Sequence, residues 1–262
     1  MKQIRTGKMA ITFDFTGQVV LVTGGYSGLG KTVALAFADF GAEAVVIVGR
    51  NRERCQAMEA ELAAKGVKAA GIAADVRKSA EIKVAVAEAL KRFGKIDVLV
   101  NSAGIFRMAP ALETSDEEWQ DVLDTNLTGP FIFCREVGAA MIEKGYGRIV
   151  NIASTDAISA IPDEVAYCSS KSALVAMTRV MAVEWVKKGV NVNTVSPSDF
   201  ATPMTAPFLS DPAVLAAQMA GAPVGRVGRP EEIIPVVLYL ASPEAEMVVG
   251  HNFAIDGGRS II

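Results

Sequence analysis

The sequence predicts an α/β fold, a single Rossmann-like domain in which a doubly wound parallel sheet carries helices on both faces. Short β-branched runs recur at Val19–Val22, Val45–Val48, Val98–Val100, Ile149–Ile152 and Val190–Val192. Nearly continuous apolar runs of this length mark strands buried on both faces. Between them, Ala-, Glu- and Lys-rich stretches with helical spacing occupy residues 29–40, 52–65, 79–93, 116–143 and 164–188. Strand alternating with helix gives a parallel sheet. The alternation runs from Gln18 to Asp256 without a linker, a low-complexity tract or a fixed-period repeat. One domain is therefore expected over residues 16–262, behind an N-terminal extension at 1–15.

The composition narrows the function. The chain has 262 residues, 51% hydrophobic and 21% charged, enough to bury a large core. No apolar run approaches the ~20 residues of a membrane span, and the first fifteen residues, with Lys2, Arg5 and Lys8, lack the apolar stretch of a secretory signal. A cytoplasmic protein with no membrane association is expected. Cys55, Cys134 and Cys168 are scattered without disulfide or zinc spacing, and His251 is the one histidine, so no metal site is expected. A net charge of −3 gives no reason to expect nucleic acid.

After the first strand comes Thr23-Gly24-Gly25-Tyr26-Ser27-Gly28-Leu29-Gly30, opening into an Ala-rich helix. In a strand–turn–helix, glycines let the backbone approach a pyrophosphate, while the helix N-terminus offers free N–H groups and partial positive charge. The cofactor contacts expected here are Thr23, Gly24, Ser27, Gly28, Leu29 and Gly30. At the end of the second strand, where NAD sites place an acid on the ribose 2′-hydroxyl, stand Gly49, Arg50, Asn51 and Arg52. A guanidinium suits a 2′-phosphate, so Arg50 points to NADP(H), with NAD as the alternative.

Tyr167 and Lys171 are four residues apart in a helical pattern and emerge from one face. A free tyrosine titrates near ~10, and a neighbouring cation favours the phenolate, bringing it into range as an acid/base catalyst. Between Ser196 and Arg229 five prolines interrupt regular structure, which predicts a lid of loops and short helices at about 198–229. Cys168 is expected to be a small buried residue, and His251 a structural histidine.

The spacing G-x-x-x-G-x-G, then Ala74-Asp75-Val76, Asn101-Ser102-Ala103-Gly104, Ser154, Tyr167 and Lys171, and the closing Asp256-Gly257-Gly258 resemble the short-chain dehydrogenase/reductase family over Thr16 to Gly258. That resemblance implies hydride exchange between nicotinamide and a carbonyl or alcohol. Tyr167 would be the proton donor, Lys171 its partner and a cofactor contact, and Ser154 the group orienting the substrate oxygen. Asn126 would hold a water that relays protons to the lysine. It also implies that Asp75 and Val76 meet the adenine, that Asn101, Ala103 and Gly104 support the cofactor, and that Pro197 and Thr202 flank the nicotinamide. Two departures are Ser196-Pro197-Ser198 where Asn-Pro-Gly is usual, and Ser102 where asparagine is usual.

The substrate is expected among Ser154, Thr155, Asp156, Asp163, Glu164, Met204, Phe208 and Leu209, where acids can accept hydroxyl protons from a sugar or polyol. A 3-oxoacyl thioester reductase and a non-catalytic NAD(P)-binding redox sensor are the alternatives. The apolar helix at 164–188, with Leu174, Val175, Met177, Val180, Met181 and Trp185, and the resemblance together imply a homotetramer.

Overall fold

Seven parallel strands lie side by side in the order β3-β2-β1-β4-β5-β6-β7 in a computed structural model that describes residues 13–262. The strands are β1 Val19–Thr23, β2 Ala44–Gly49, β3 Lys68–Ala73, β4 Val98–Asn101, β5 Gly147–Ile152, β6 Val190–Pro197 and β7 Asn252–Ile255. The helices are α1 Gly28–Asp39, α2 Arg52–Ala64, α3 Ser79–Phe93, α4 Asp116–Leu123, α5 Gly129–Lys144, α6 Val165–Trp185, α7 Ala206–Leu209, α8 Pro212–Ala220 and α9 Ile234–Ala241.

The strands are apolar on both sides because both sides are covered. Val19 and Leu21 pack with Ile82, Val86, Phe133, Met141 and Met181 of α3, α5 and α6. Their neighbours Val20 and Val22 pack with Val33, Phe37, Met58, Leu62 and Leu238 of α1, α2 and α9. β1 pairs with β2 on one side and β4 on the other, so the strand order reverses there. Beyond the carboxyl ends of such strands a crevice opens, the place where doubly wound sheets bind ligands.

Phe15 falls within the segment expected as an N-terminal extension. Residues 1–12 lie outside the described residues, but Phe15 is fully buried against Phe37, ring centroids 4.8 Å apart, and belongs to the core. His251 is exposed rather than enclosed, its ring edge-on to Phe253 at 4.4 Å. Among the described residues no helix is long and apolar enough to cross a membrane.

The helix expected over 116–143 is broken. α4 and α5 are joined by a π-helical turn at Asp124–Thr128. Pro130 has no N–H to return to the carbonyl of Asn126 four residues back, so the α-helical ladder is interrupted at that carbonyl. At the other end of the sheet, a parallel bridge between Phe200 and Gly228 closes the base of the expected lid, which carries α7 and α8.

Candidate active site

A cleft of about 480 Å³ runs across the carboxyl ends of the strands, from Arg50 at one end to Arg259 at the other. At the first end, Gly24, Ser27, Gly28 and Leu29 line it, together with Gly49, Asp75, Val76, Ala103 and Gly104. The N-cap of α1, Ser27, makes no side-chain cap and the first turn holds no acid, which leaves N-terminal N–H groups for a ligand. By contrast α2 is capped by Asn51, whose side chain accepts from the Arg54 N–H at 2.8 Å.

Four expected contact residues lie beneath the lining instead of in it. The Thr23 hydroxyl accepts from the N–H groups of Ser102 and Ala103, both at 3.1 Å, tying β1 to the turn after β4. Gly30 is needed for packing, since a Cβ there would sit 2.6 Å from the Gly24 carbonyl oxygen. Asn101 donates to Asn151 Oδ1 at 2.8 Å, and Asn151 donates to Thr178 Oγ1 at 2.8 Å, a buried polar chain that fixes α6 against the sheet. Asn126 Oδ1 accepts from the Ile105 N–H and its Nδ2 donates to the Ile105 carbonyl, each at 2.9 Å. Its side chain is thus committed to Ile105, whereas its carbonyl lacks the donor an α-helix would supply.

The glycine at the end of β2 also has a packing cause. A Cβ on Gly49 would lie 2.2 Å from Cε1 of Tyr26, whose ring is braced by the Arg54 guanidinium 4.5 Å from its centroid. Arg50 is exposed, lines the cleft and forms no ion pair among the described residues. The Asp75 carboxylate is held by Arg77 at 2.6 Å, which keeps it below the usual carboxylate range.

At the other end, Tyr167 and Lys171 project from α6 as their spacing requires. The Lys171 ammonium donates to the Ile152 carbonyl at 2.9 Å and lies 5.6 Å from the Tyr167 ring centroid. A Cβ on Gly104 would be 3.3 Å from Asn126 Oδ1 and 3.6 Å from Lys171 Nζ, so glycine leaves the space where these groups converge. Burial lowers Lys171 to about 8. Burial also raises Tyr167 above its ordinary value; Asp156, Glu164 and Asp199 add to this, and the Ser154 hydroxyl opposes it. In the protein without its cofactor, desolvation and the three carboxyls thus disfavour the phenolate.

Ser154 donates its hydroxyl proton to Asp156 Oδ2 at 2.7 Å and accepts from the Asp156 N–H at 3.2 Å. Glu164, Pro197, Thr202, Met204, Phe208 and Leu209 line this end too. Asp163 does not: its backbone is left-handed (φ 64°), its side chain is exposed, and its carbonyl accepts from the Ala109 N–H. Three features were not anticipated. Phe106 stands edge-on between Tyr167 and Phe208, with centroids at 4.9 and 5.2 Å. Asp199 pairs with Arg259 at 2.7 Å across the lid, and Arg259 also donates to Gln218. The third is the Pro130 break beside Asn126, whose signal was in the sequence.

Cys55 and Cys134 are buried and pushed up to about 11 and about 12, so neither is a thiolate nucleophile. Cys168 is half-buried and also raised by burial.

Residues 24–260 match a protein-family model described as enoyl-(acyl carrier protein) reductase. The chain is 40% identical to D-threitol dehydrogenase of Mycolicibacterium smegmatis over 256 residues, 97% of this chain and 98% of the relative. It is 36% identical to a 3-oxoacyl-[acyl-carrier-protein] reductase of Synechocystis (93% and 97% covered). It is 35% identical to an NAD-dependent glycerol dehydrogenase of Listeria innocua (95% and 96%). Among solved structures, it resembles a gluconate 5-dehydrogenase from Burkholderia cenocepacia in complex with NADP and tartrate, with TM-score 0.92, 32% identity, and 95% of this chain and 98% of that chain covered.

Proposed function

The chain belongs to the short-chain dehydrogenase/reductase family and is a nicotinamide-dependent oxidoreductase, and we propose that it uses NADP(H) to interconvert a secondary alcohol and a carbonyl on a small polyhydroxy substrate. The observation that carries this reading is one cleft with an uncapped helix N-terminus and glycine turn at one end and Tyr167, Lys171 and Ser154 at the other. The nicotinamide supplies or accepts the hydride. Tyr167 gives or takes the proton on the substrate oxygen, Ser154 orients that oxygen, and Lys171 lowers the cost of the phenolate once the oxidised ring's own positive charge is added. Pro197 and Thr202, which line the cleft, would flank the nicotinamide.

Arg50, with no acid at the end of β2, supports NADP(H), and the NADP-bound neighbour agrees; the NAD-dependent glycerol dehydrogenase is the counterexample that a test must address. Turnover of polyols, aldonates and 3-oxoesters with each cofactor is the direct experiment. Polyol oxidation with NADP is expected, while selective 3-oxoester reduction favours the acyl reading, and failure to bind either cofactor overturns both.

The proposal extends to a cytoplasmic homotetramer. On α6, Val180 and Val183 are 59% and 76% exposed, apolar surface that a second copy of the helix covers. A stable monomer in sedimentation at micromolar concentration overturns this.

A further inference from the structure

We propose that Glu164 recognises the substrate away from its reacting carbon, accepting a hydrogen bond from a second hydroxyl of a neutral polyhydroxy molecule. The inference rests on the oxidoreductase reading above and sharpens its substrate class.

Glu164 lines the cleft, is only 9% exposed, and its Oε2 is buried with no hydrogen-bond partner among the described residues. Buried carboxyl oxygens without partners are rare, because losing water without replacement costs free energy. A ligand donor arriving from the cleft removes that cost. The position is rigid: Glu164 bridges to Ala109, its carbonyl accepts from the Cys168 N–H at 2.8 Å, and Asp163 before it is held in the left-handed region. It stands three residues before Tyr167, about one helical turn along the chain, so a hydroxyl near the reacting carbon is within its reach.

Its surroundings choose among hydroxylated ligands. Asp156 and Asp199 face the same space and, with burial, raise the Glu164 carboxyl to about 7. Among the described residues lining this end, the cation besides Lys171 is Arg259, already engaged by Asp199 and Gln218. An aldonate carboxylate entering here meets three acids and no uncommitted guanidinium. A neutral polyol instead brings the hydroxyl donor that Glu164 Oε2 lacks among the described residues.

The test compares wild type, Glu164→Gln and Glu164→Leu in NADP-linked oxidation of D-threitol, galactitol, gluconate and 2-butanol above neutral pH, with NADPH binding by fluorescence as the control for folding. Glu164→Leu is expected to raise KM for the polyols by roughly ten- to a hundredfold, the scale of a hydrogen bond to a charged group. Loss of the carboxyl that helps raise Tyr167 acts on every substrate alike, so the reading is the ratio: kcat/KM for polyols relative to 2-butanol, which has no second hydroxyl, should fall by roughly that same ten- to a hundredfold. Glu164→Gln, which keeps an acceptor oxygen, should lose less on polyols and gain on gluconate relative to wild type. If Glu164→Leu fails to fold, this polyol-against-gluconate shift in Glu164→Gln decides alone. Equal losses on polyols and 2-butanol, or unchanged polyol KM, overturn the proposal. Wild type that oxidises 2-butanol or gluconate but no polyol also overturns it and leaves the oxidoreductase reading intact. Wild type that binds no NADPH and oxidises nothing removes that reading itself.

Discussion

Under β1 and β2 the cleft is lined by glycines beside Tyr26, Leu29 and an Asp75 already held by Arg77, and free hydrogen-bond donors face it: the open N-terminus of α1 and Arg50, which forms no ion pair among the described residues. Under β5 and β6 it is lined with side chains, and acceptors dominate: Asp156, Glu164 and Asp199. On the reading proposed above, one end takes phosphate and the other hydroxyl groups. Tyr167 and Lys171 belong to the second end but Lys171 stands beside Gly104 of the first, and burial above all, with the acids near Tyr167, sets their protonation when no cofactor is bound. The difference teaches that the polarity of a site can be divided along its length, with the reacting groups placed on the boundary.

The largest expected effect removes the boundary residue. Tyr167→Phe keeps the ring packed against Phe106 and deletes the hydroxyl, so turnover should fall at least ~10²-fold. NADPH affinity, set at the donor end, should barely move. A near-normal kcat by steady-state assay would remove Tyr167 from the chemistry, and a parallel loss of NADPH binding would show that the two ends are not separable.

Next comes the donor end by itself. Arg50→Ala should weaken NADPH binding roughly ten- to a hundredfold and leave NADH binding unchanged, since hydrogen bonds to charged groups contribute ~1.5–3 kcal/mol. Equal binding of NADPH by mutant and wild type in a fluorescence titration would break the comparison. Introducing an acid at Gly49 is not an equivalent test, because its Cβ would collide with Tyr26.

The pH dependence sharpens the acidic end. Tyr167 is raised above its ordinary value, so loss of its proton limits alcohol oxidation, and kcat/KM in that direction should climb several-fold from neutral into alkaline solution. Carbonyl reduction, which needs the proton in place, should show no such climb. Matching profiles in both directions would contradict the assignment.

The smallest effect is thermal. Glu164 titrates higher folded, at about 7, than its ordinary 4.5, so the folded protein binds more protons between those values and loses stability as pH rises through them. Glu164→Gln should therefore gain on wild type over that window, by a few degrees in Tm, and the gap should level off above it. A gap independent of pH would show that the folded carboxyl titrates normally.

Much of this was legible in the sequence because it depends on local pattern. Apolar runs at Val19–Val22 and Val45–Val48 needed only two-sided burial, and the Tyr167–Lys171 spacing needed only a helix. What escaped depends on contacts between distant segments. The Asp199–Arg259 pair joins residues sixty positions apart, and Gly49 takes its meaning from Tyr26 lying against it. Thr23, Gly30 and Asn101 fell at motif positions, yet their side chains or lack of one serve the layer below the cleft. The break at Pro130 was local and readable; the apolar periodicity on either side of it concealed a change of helix type.

The bridge between Phe200 and Gly228 has an evolutionary consequence. Gly228 donates to the Asp199 carbonyl and Ala201 to the Gly228 carbonyl, so the chain leaves and rejoins the framework at nearly one point. A Cβ on Gly228 would strike the Phe200 ring at 2.9 Å, which makes glycine the clasp. Ala201 to Val227 is then an insert clasped at its base, with a second tie where the Val224 N–H donates to the Gly257 carbonyl at 3.0 Å just after β7. Descendants of this scaffold can acquire new substrates by exchanges within that insert, provided the newcomer keeps Thr202 at the cleft, the Val224 tie to Gly257 and a partner for Arg259 in place of Gln218.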